Sequence, residues 1–331
     1  MTTDSNKPTV ILLMGPTASG KSDLALALAR TFAAEIVSVD STQVYRGLDI
    51  GSAKPSRREQ AVVPHHLIDI SDPSEPYSAA HFCRDALVAI DSIVARGNTP
   101  LLVGGTMLYF KALLQGLADL PSADREVRAL IEADAIAHGW PYVHAQLAQV
   151  DPESAQRLHP NHSQRIARAL EVFRVTGQTI GALQASQQPS ENRLASRFRI
   201  VQLALSVHQR SRLHANIAQR FRAMLACGFE QEVRRLVDRG DLSPQLPAIR
   251  SVGYRQMWDY LTNKSASANG SYEVMVEKGI AATRQLAKRQ LTWLRSWPDL
   301  LWLFSDTEQG DCVSQEEIRD QALNSIDPTT I

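Results

Sequence analysis

A short apolar run followed by a glycine-rich loop constrains the fold of this chain more than any other feature. Residues 9–14, TVILLM, are typical of a buried strand, and residues 15–22, GPTASGKS, match the pattern G-x-x-x-x-G-K-[ST]. The Ala- and Leu-rich residues 22–32 favour a helix. In a strand–loop–helix of this kind, backbone amides and the positive end of the helix dipole face phosphate oxygens. The loop therefore predicts that the chain holds a di- or triphosphate, and read alone it indicates ATP.

Each side chain of this phosphate-binding loop has a predicted task. Lys21 supplies a point charge for the phosphates, and the hydroxyl of Ser22 can reach a phosphate-bound Mg²⁺. We therefore predict Mg²⁺ as the cofactor and Ser22 as its protein ligand. The residues predicted to bind the diphosphate or nucleotide are Gly15, Pro16, Thr17, Ala18, Ser19, Gly20, Lys21 and Ser22.

The rest of the sequence alternates between strand and helix patterns. Apolar runs predict further strands at residues 35–39, 64–70, 100–103, 198–205 and 300–304, and helical spacing separates most of them. Such alternation indicates a parallel sheet that is covered on both faces. We predict an α/β fold with a P-loop NTPase-like parallel sheet flanked by helices.

The pattern changes in the middle of the chain. Between residues 124 and 177 only helical patterns occur, which indicates an all-helical insertion domain. The predicted catalytic core is therefore discontinuous, with residues 1–118 and 186–304, and residues 119–185 form the insertion. Residues 305–331 are polar, and we predict a flexible tail there.

Composition excludes several classes of protein. The longest apolar runs are far shorter than the roughly 18 residues of a membrane span, and the N-terminus is polar. The three cysteines, Cys83, Cys227 and Cys312, are too scattered for a disulfide framework or a zinc site. We expect a cytoplasmic protein with no membrane partner.

The charge is unevenly distributed, although the formal net charge is zero. No acidic residue lies between Glu191 and Glu230, where there are seven arginines, and a second acid-free stretch runs from Glu277 to Asp299. Segregated basic stretches favour contact with a polyanion, and an ordinary solvated surface is an equally good interpretation of the charge alone.

Asp40 is the clearest aspartate at the end of a predicted strand. A motor-type ATPase carries such an aspartate as a second Mg²⁺ contact, whereas here residues 101–103 run into Gly104 and Gly105. Asp40 follows the first helix and belongs to the carboxyl edge of the sheet, where substrates bind in such folds. This position predicts a carboxylate that acts on an acceptor substrate. A turn or helix-cap aspartate is the alternative.

Residues 40–54, DSTQVYRGLDIGSAK, resemble the pattern D-S-x-Q-V-Y-R-G-x-D-I-G-T-A-K of the bacterial tRNA dimethylallyltransferases. Ser52 departs from that pattern, because the family more often has Thr there. Further segments match the family in order: VPHHLID at 63–69, GGTMLY at 104–109, HPN at 159–161, QRIARALE at 164–171, TG at 176–177, SVGYRQ at 251–256 and TRQLAKRQ at 283–290.

The resemblance implies a prenyl transfer. The dimethylallyl group of dimethylallyl diphosphate would move to N6 of the adenine at position 37, next to the anticodon on its 3′ side, in tRNAs that read codons beginning with U, giving i6A. The loop would then hold the donor diphosphate rather than ATP. Asp40 would be the general base, Thr106 would hydrogen-bond near the reacting centre, and Arg220 would stabilise the departing diphosphate.

The adenine has to leave the stack of the anticodon loop to reach a buried donor, so the resemblance also implies an RNA-binding channel. The anticodon stem-loop of tRNA is the predicted partner, and the protein is predicted to be a monomer. Arg165 and Arg168 are three residues apart and would share a helix face. The residues predicted to contact tRNA are Asp40, Ser41, Thr42, Gln43, Thr106, Arg128, Gln164, Arg165, Ile166, Ala167, Arg168, Arg250, Ser251, Val252, Gly253, Tyr254, Arg255, Arg284, Lys288, Arg289 and Arg295.

Three alternatives remain open from the sequence. A small-molecule P-loop kinase would use ATP and Asp40, but it leaves the helical insertion and the basic stretches unexplained. A non-catalytic nucleic-acid-binding protein could keep the loop as a remnant. A prenyltransferase acting on a free adenine nucleotide would need no helical platform.

Overall fold

The structure of the chain is a computed structural model that describes residues 7–116, 120–186, 194–262 and 271–326. The predicted boundary at residues 118–119, residues 187–193 at the start of the second predicted core segment and the last five residues of the tail lie outside the described residues.

Six strands of the described residues form one parallel sheet. The strands are β1 (Thr9–Met14), β2 (Ala34–Val39), β3 (His65–His66), β4 (Thr99–Gly104), β5 (Arg199–Ser206) and β6 (Leu301–Phe304), and their order across the sheet is β3-β2-β4-β1-β5-β6. This architecture confirms the predicted α/β fold with a P-loop-type parallel sheet.

The helices of the described residues include those that pack on the sheet and those of the helical middle segment. In chain order they are α1 (Lys21–Thr31), α2 (Arg57–Val62), α3 (Ala79–Ala95), α4 (Met107–Gln115), α5 (Arg125–His138), α6 (Trp140–Val150), α7 (Pro152–Arg157), α8 (Ser163–Thr176), α9 (Ile180–Ser186), α10 (Leu194–Arg197), α11 (Arg210–Ala226), α12 (Phe229–Asp238), α13 (Tyr254–Thr262), α14 (Tyr272–Arg295) and α15 (Gln315–Ser325).

Strand β1 lies inside the sheet, between β4 and β5, and both of its faces are apolar. Val10, Leu12 and Met14 pack with α3, α4 and α14 on one side, and Ile11 and Leu13 pack with α1 and α15 on the other. Successive side chains of a strand point to opposite faces, so an unbroken apolar run needs cover on both. The phosphate-binding loop that follows β1 therefore emerges in the middle of the carboxyl edge of the sheet.

The described residues divide into two compact units, one within Met1–Leu114 and Leu194–Ile331 and the other within Gln115–Arg193. The second unit is entirely helical and has its own core around Ile131, Leu147 and Ile166. Its buried Glu171 accepts hydrogen bonds from Arg128 and Arg168 and from the Asp124 amide. Burial acts to raise the pKa of Glu171, but these donors outweigh it, so the pKa is lowered and the carboxylate stays charged.

The segment after β2 is held against the helices of the first unit by one carboxylate. Glu232 on α12 accepts hydrogen bonds from the amides of Asp49, Ile50 and Gly51 and from the hydroxyl of Tyr254. Glu232 is only 3 % exposed, and its four donors satisfy a charge that would otherwise be costly to bury. This fixes the far end of the segment that begins at Asp40.

Two predicted elements differ from the structure. The strand predicted at residues 64–70 is only two residues long, because Leu67 and Asp69 have positive φ angles of 61° and 57°, which no strand accommodates. The prediction of a flexible tail is wrong for residues 305–326. Helix α15 begins with a capping box at Ser314 and Glu317, and its apolar residues, four apart, pack on α1: Ile318, Ala322 and Ile326.

Among the described residues, none of the helices combines the length and the apolar composition that crossing a bilayer requires.

Gly104, at the end of β4, is expected to tolerate no side chain. A Cβ atom there would lie 2.0 Å from the carbonyl oxygen of Val39 on the paired strand. We expect Gly104→Ala to lower the stability by about 1–3 kcal/mol through backbone displacement. Thermal unfolding of both variants measures the effect, and Gly181→Ala is the control, because the nearest atoms to its Cβ would be 4.0 Å away. An unchanged melting temperature in Gly104→Ala would contradict the packing described here.

Candidate active site

The phosphate-binding loop ends at the N-terminus of α1. Gly20 caps this helix in the left-handed conformation, with φ 88°, and no side chain accepts a hydrogen bond from the first helical amides. Those amides and the helix dipole are therefore free to bind an anion. Asn216 of α11 donates a hydrogen bond of 3.5 Å to the carbonyl oxygen of Ala18, which ties α11 to the loop.

Two cations without an acidic partner among the described residues converge on the loop. Within that part of the chain, Lys21 donates hydrogen bonds only to Pro16 O and Ser19 Oγ, and Arg220 on α11 forms no ion pair. The pKa of Lys21 is lowered to about 7, chiefly by burial and also by the charge of Arg220, and the charge of Asp40 opposes both. Burial also lowers the pKa of Arg220. Desolvated positive charges that repel one another indicate a site for an anionic ligand.

Asp40 directly follows β2, and one of its two carboxylate oxygens is held by hydrogen bonds. Its Oδ1 accepts hydrogen bonds from the amides of Thr42, at 2.8 Å, and Gln43, at 3.3 Å. Its Oδ2 has no hydrogen bond to a described residue. The turn therefore holds the carboxylate in one orientation and leaves one oxygen available as a base.

Thr106 joins the ends of two neighbouring strands. Its Oγ1 accepts a hydrogen bond of 3.1 Å from the Ser41 amide, and its own amide donates to Val39 O at 3.2 Å. This residue thus holds the turn after β4 against the start of the Asp40 segment, beside the predicted base.

Gln290 on α14 links the same turn to the phosphate-binding loop. Its Oε1 accepts a hydrogen bond of 2.9 Å from the Thr17 amide, and its Nε2 donates one of 2.9 Å to Gly105 O. Gln290 is 8 % exposed, so both bonds are shielded from water. One buried amide therefore sets the spacing between the two loops that meet at the site.

These groups surround two adjoining cavities in the first unit. A cavity of about 240 Å³ is lined by Lys21, Ser22, Asp40 and Arg220, and a cavity of about 110 Å³ is lined by Thr42, Gly253, Asp40 and Arg220. Both cavities share a wall, formed by Thr17, Asp40, Ser52, Arg220 and Gln290. A larger cavity of about 980 Å³ lies on the outer side of the loop. A donor and an acceptor can thus approach Asp40 from two sides.

The site can hold a divalent cation only together with its ligand. The described residues contain no group of three or more His, Cys, Asp and Glu side chains placed to bind a metal. Ser22 is exposed at the first turn of α1, and its hydroxyl has no hydrogen bond to a described residue. One hydroxyl beside an anion site fits a cation that takes its other ligands from phosphate and water.

The predicted RNA-binding segments of the first unit are partly brought together. Thr42 donates a hydrogen bond of 3.1 Å to Ser251, which joins residues 40–43 to residues 250–255. Tyr254 is completely buried, and its hydroxyl donates a hydrogen bond to Glu232, so contact of this residue with tRNA stays a prediction that its side chain does not support. Arg255 forms an ion pair with Asp259. The side-chain amide of Gln43 accepts a hydrogen bond from the Ser38 hydroxyl and donates to the carbonyl oxygens of Ser52 and Ala53. Arg250 is exposed, Val252 is partly exposed and Gly253 is buried.

The basic residues of α14 lie on its outer surface. Lys288, Arg289 and Arg295 are exposed, and Arg284 is half-buried. Arg284, Lys288 and Arg295 line a cavity of about 550 Å³ that differs from those around Asp40.

The predicted tRNA residues of the second unit have different environments. Gln164 and Arg165 are exposed at the start of α8. Ile166 is completely buried in the helical core and Ala167 is half-buried, so contact of Ile166 with tRNA stays a prediction that its side chain does not support. Arg128 and Arg168 bind Glu171, and Arg168 also donates to Pro121 O. The single carboxylate of Glu171, one turn after Arg168 on α8, compensates one of their two positive charges.

Comparison with known proteins identifies the family. The family model described as IPP transferase matches residues 43–297. The chain is 60 % identical to the tRNA dimethylallyltransferase of Paraburkholderia phymatum over 290 residues, which are 88 % of this chain and 90 % of that protein. The chain belongs to the IPP transferase family of tRNA dimethylallyltransferases.

Solved structures of the family share the fold. The full-length tRNA isopentenylpyrophosphate transferase of Bacillus halodurans is 33 % identical, with a TM-score of 0.66 and 98 % of each chain covered. A eukaryotic dimethylallyltransferase acting on tRNA is 27 % identical, with a TM-score of 0.72 over 90 % of this chain and 74 % of that chain. The family suggested by residues 40–54 is therefore confirmed, and membership does not favour the kinase alternative.

Sequence reasoning missed two residues of the site. Gln290 was only part of a matching segment, and no pattern relates it to residues 17 and 105. Lys54 lines two of the cavities, and its ammonium donates to Tyr45 O and to the carboxylates of Asp49 and Asp69. By joining residues 45, 49 and 69, the Lys54 ammonium orders the segment that follows β2, a role that only the structure reveals.

Gln290→Leu is expected to lower kcat by roughly ten-fold or more and to leave RNA affinity within about two-fold. Leucine has a similar volume but accepts no hydrogen bond from Thr17, so the two loops lose their common spacing, and small displacements of reacting groups strongly lower rates. Steady-state kinetics and RNA binding measure both effects. Gln285→Leu is the control, because Gln285 is exposed on the same helix. Equal kcat values in the two variants would contradict the role of Gln290.

Proposed function

We propose that the chain transfers a dimethylallyl group from dimethylallyl diphosphate to N6 of adenine 37 in tRNA. One observation carries the proposal: two desolvated cations, Lys21 and Arg220, line the same cavity of about 240 Å³ as Asp40, and neither forms an ion pair with a described residue. Oδ2 of Asp40 has no hydrogen bond to a described residue. A leaving diphosphate needs the cations, and an amino group attacking carbon needs the base.

The proposed reaction uses these groups together. The N6 lone pair of adenine forms a bond to C1 of the dimethylallyl group as the C1–O bond breaks, and the electron pair of that bond leaves with the diphosphate. Lys21, Arg220 and the amides at the start of α1 stabilise the developing charge. Oδ2 of Asp40 accepts the proton that N6 loses. Thr106 and Gln290 hold the loops that carry the two reactants.

Mg²⁺ fits the same proposal. Ser22 would hold it beside the diphosphate, where the ion would supply positive charge to the leaving group. The exposed hydroxyl and the lack of a protein metal cluster among the described residues support a cation that arrives with the substrate.

The kinase alternative is disfavoured by the end of β4. The strand next to β1 ends in Gly104 and Gly105, where a nucleotide hydrolase of this fold would carry an aspartate. Free adenine nucleotide as the acceptor is disfavoured by the exposed cations of α8 and α14, which a mononucleotide does not need. Modification of tRNAs that read codons beginning with U, the monomeric state and the cytoplasmic location remain predictions.

Competition between donors tests the proposal. The protein is incubated with Mg²⁺, unmodified tRNA and either labelled dimethylallyl diphosphate or labelled ATP. We expect transfer of the dimethylallyl label to RNA and no phosphate transfer from ATP to the RNA or to small acceptors. ATP turnover without prenyl transfer would support the kinase. RNA binding without any chemistry would support the non-catalytic alternative.

A further inference from the structure

The cavity lined by Arg284, Lys288 and Arg295, which is separate from those around Asp40, has a concentration of positive charge. It has a volume of about 550 Å³ and lies between the start of α11, the outer side of α14 and the ends of β5 and β6. None of the described residues that line it is acidic. Its six basic side chains are His208, Arg210, His214, Arg284, Lys288 and Arg295.

These basic side chains are not paired with described carboxylates, although the buried Asp306 accepts a hydrogen bond of 2.6 Å from the backbone amide of His208. None of the six forms an ion pair with a described residue, and the Nε of Arg284 is buried without a hydrogen-bond partner. Burial and the charges of Arg284 and Arg210 lower the pKa of His214, which reports the positive potential inside the cavity. A buried donor without a partner and a positive potential both favour an anionic ligand.

Aromatic rings form another wall of this cavity. Trp302 and Phe304 lie on the same face of β6, with ring centroids 5.8 Å apart and planes within 10°. The ring of His208 stacks on that of Phe304, with ring centroids 3.8 Å apart and an angle of 19° between the planes, so the three rings form a row. His208 is exposed at the end of this row, so another flat ring can stack there. Cations beside parallel rings match a nucleotide, whose phosphate is charged and whose base is flat.

The position of the cavity indicates which nucleotide. All six strands are parallel, so the ends of β5 and β6 lie on the same edge as Asp40. Helix α14 borders both places: Thr283, Leu286 and Gln290 line the cavities around Asp40, whereas Arg284 and Lys288 line this one. An RNA chain that inserts a base at Asp40 can therefore cross α14 and reach the ring row.

We propose that this cavity binds a second nucleotide of the RNA substrate, with its phosphate on Arg284, Lys288 and Arg295 and its base stacked on His208. The proposal rests on the proposed function for the identity of the RNA. The ring row formed by His208, Phe304 and Trp302 adds affinity for RNA and takes no part in the chemistry.

The experiment compares His208→Ala and Arg284→Gln with wild-type protein in binding to an anticodon stem-loop RNA, without donor. The control is Arg30→Ala, because Arg30 is exposed on α1 and lines none of the cavities described here. We expect the Kd for RNA to rise at least about five-fold in His208→Ala, the lower limit for loss of one stacked base. We expect it to rise in Arg284→Gln as well, through loss of a phosphate contact. The control should keep the wild-type Kd.

Photo-crosslinking provides a second measurement that needs no variant. RNA carrying 5-iodouridine at successive loop positions should crosslink to peptides containing His208, Phe304 or Trp302 from one or two positions outside the reacting base. Unchanged Kd values or crosslinks only elsewhere would overturn the proposal. Saturable binding of a free mononucleotide that is lost in His208→Ala, with unchanged RNA affinity, would assign the cavity to a small ligand instead. Because both readouts omit the donor, failure of prenyl transfer would leave their outcome interpretable.

Discussion

Asp40→Asn is expected to lower kcat for prenyl transfer by about 10²–10⁴-fold and to leave RNA affinity within about two-fold. An amide oxygen can still accept the hydrogen bonds that Asp40 Oδ1 receives from the amides of Thr42 and Gln43, so the turn keeps its shape. An amide in place of Oδ2 cannot accept the N6 proton at neutral pH, and the expected loss is that of a general base. Single-turnover transfer with saturating RNA and donor measures the chemical step.

The control for this variant is Glu308→Gln, which removes an exposed carboxylate far along the chain and should retain the wild-type rate. Thermal melting of Asp40→Asn should match that of the wild type. A single-turnover rate within about three-fold of the wild type would contradict the assignment of Asp40 as the base. Loss of RNA binding together with a lowered melting temperature would instead indicate a structural role in the turn.

Lys21→Ala is expected to lower kcat/KM for the donor by about 10²–10³-fold, the effect of removing one preorganised charge from a developing anion. The wild type should also show a pH dependence that the variant lacks. The free protein carries Lys21 with a pKa of about 7, so the ammonium is present below that pH and is lost as the pH rises through it. Diphosphate binding requires the charged form, so donor affinity should fall from pH 7 to pH 9.

Donor binding at several pH values tests this second expectation. Lys278→Ala is the control, because Lys278 is exposed on α14 and lines none of the cavities described here. It should keep the wild-type affinity and the wild-type pH dependence. A pH profile in Lys21→Ala that is parallel to that of the wild type would show that another group titrates. Undiminished kcat/KM would exclude Lys21 from the stabilisation of the leaving group.

Local patterns were sufficient to predict most of the fold. The strand–loop–helix at residues 9–32 and the alternation that follows require a parallel sheet, because each apolar run is short and is bounded by turn residues. The tail was harder to predict, since Ile318, Ala322 and Ile326 are three apolar positions within a polar segment. Their spacing of four was the available signal, and the capping box at Ser314 and Glu317 supported it.

The active site was only partly predictable for a physical reason. Lys21 and Asp40 belong to segments with a local mechanism, so a pattern could identify them. Gln290 acts on residues more than 180 positions away, and its contacts follow from how α14 packs on the sheet. The environment of Arg128 and Arg168 was also unpredictable, because only the fold places the buried carboxylate of Glu171 beside both arginines.

The most direct test of the central claim is mass analysis of tRNA nucleosides and nuclease fragments after incubation with the protein, dimethylallyl diphosphate and Mg²⁺. We expect one added dimethylallyl group per tRNA, on the adenosine next to the anticodon on its 3′ side, with stoichiometric release of diphosphate and far slower product formation by Asp40→Asn. An unchanged tRNA mass after incubation with folded protein, or a dimethylallyl group on any other nucleotide, would contradict the proposed function.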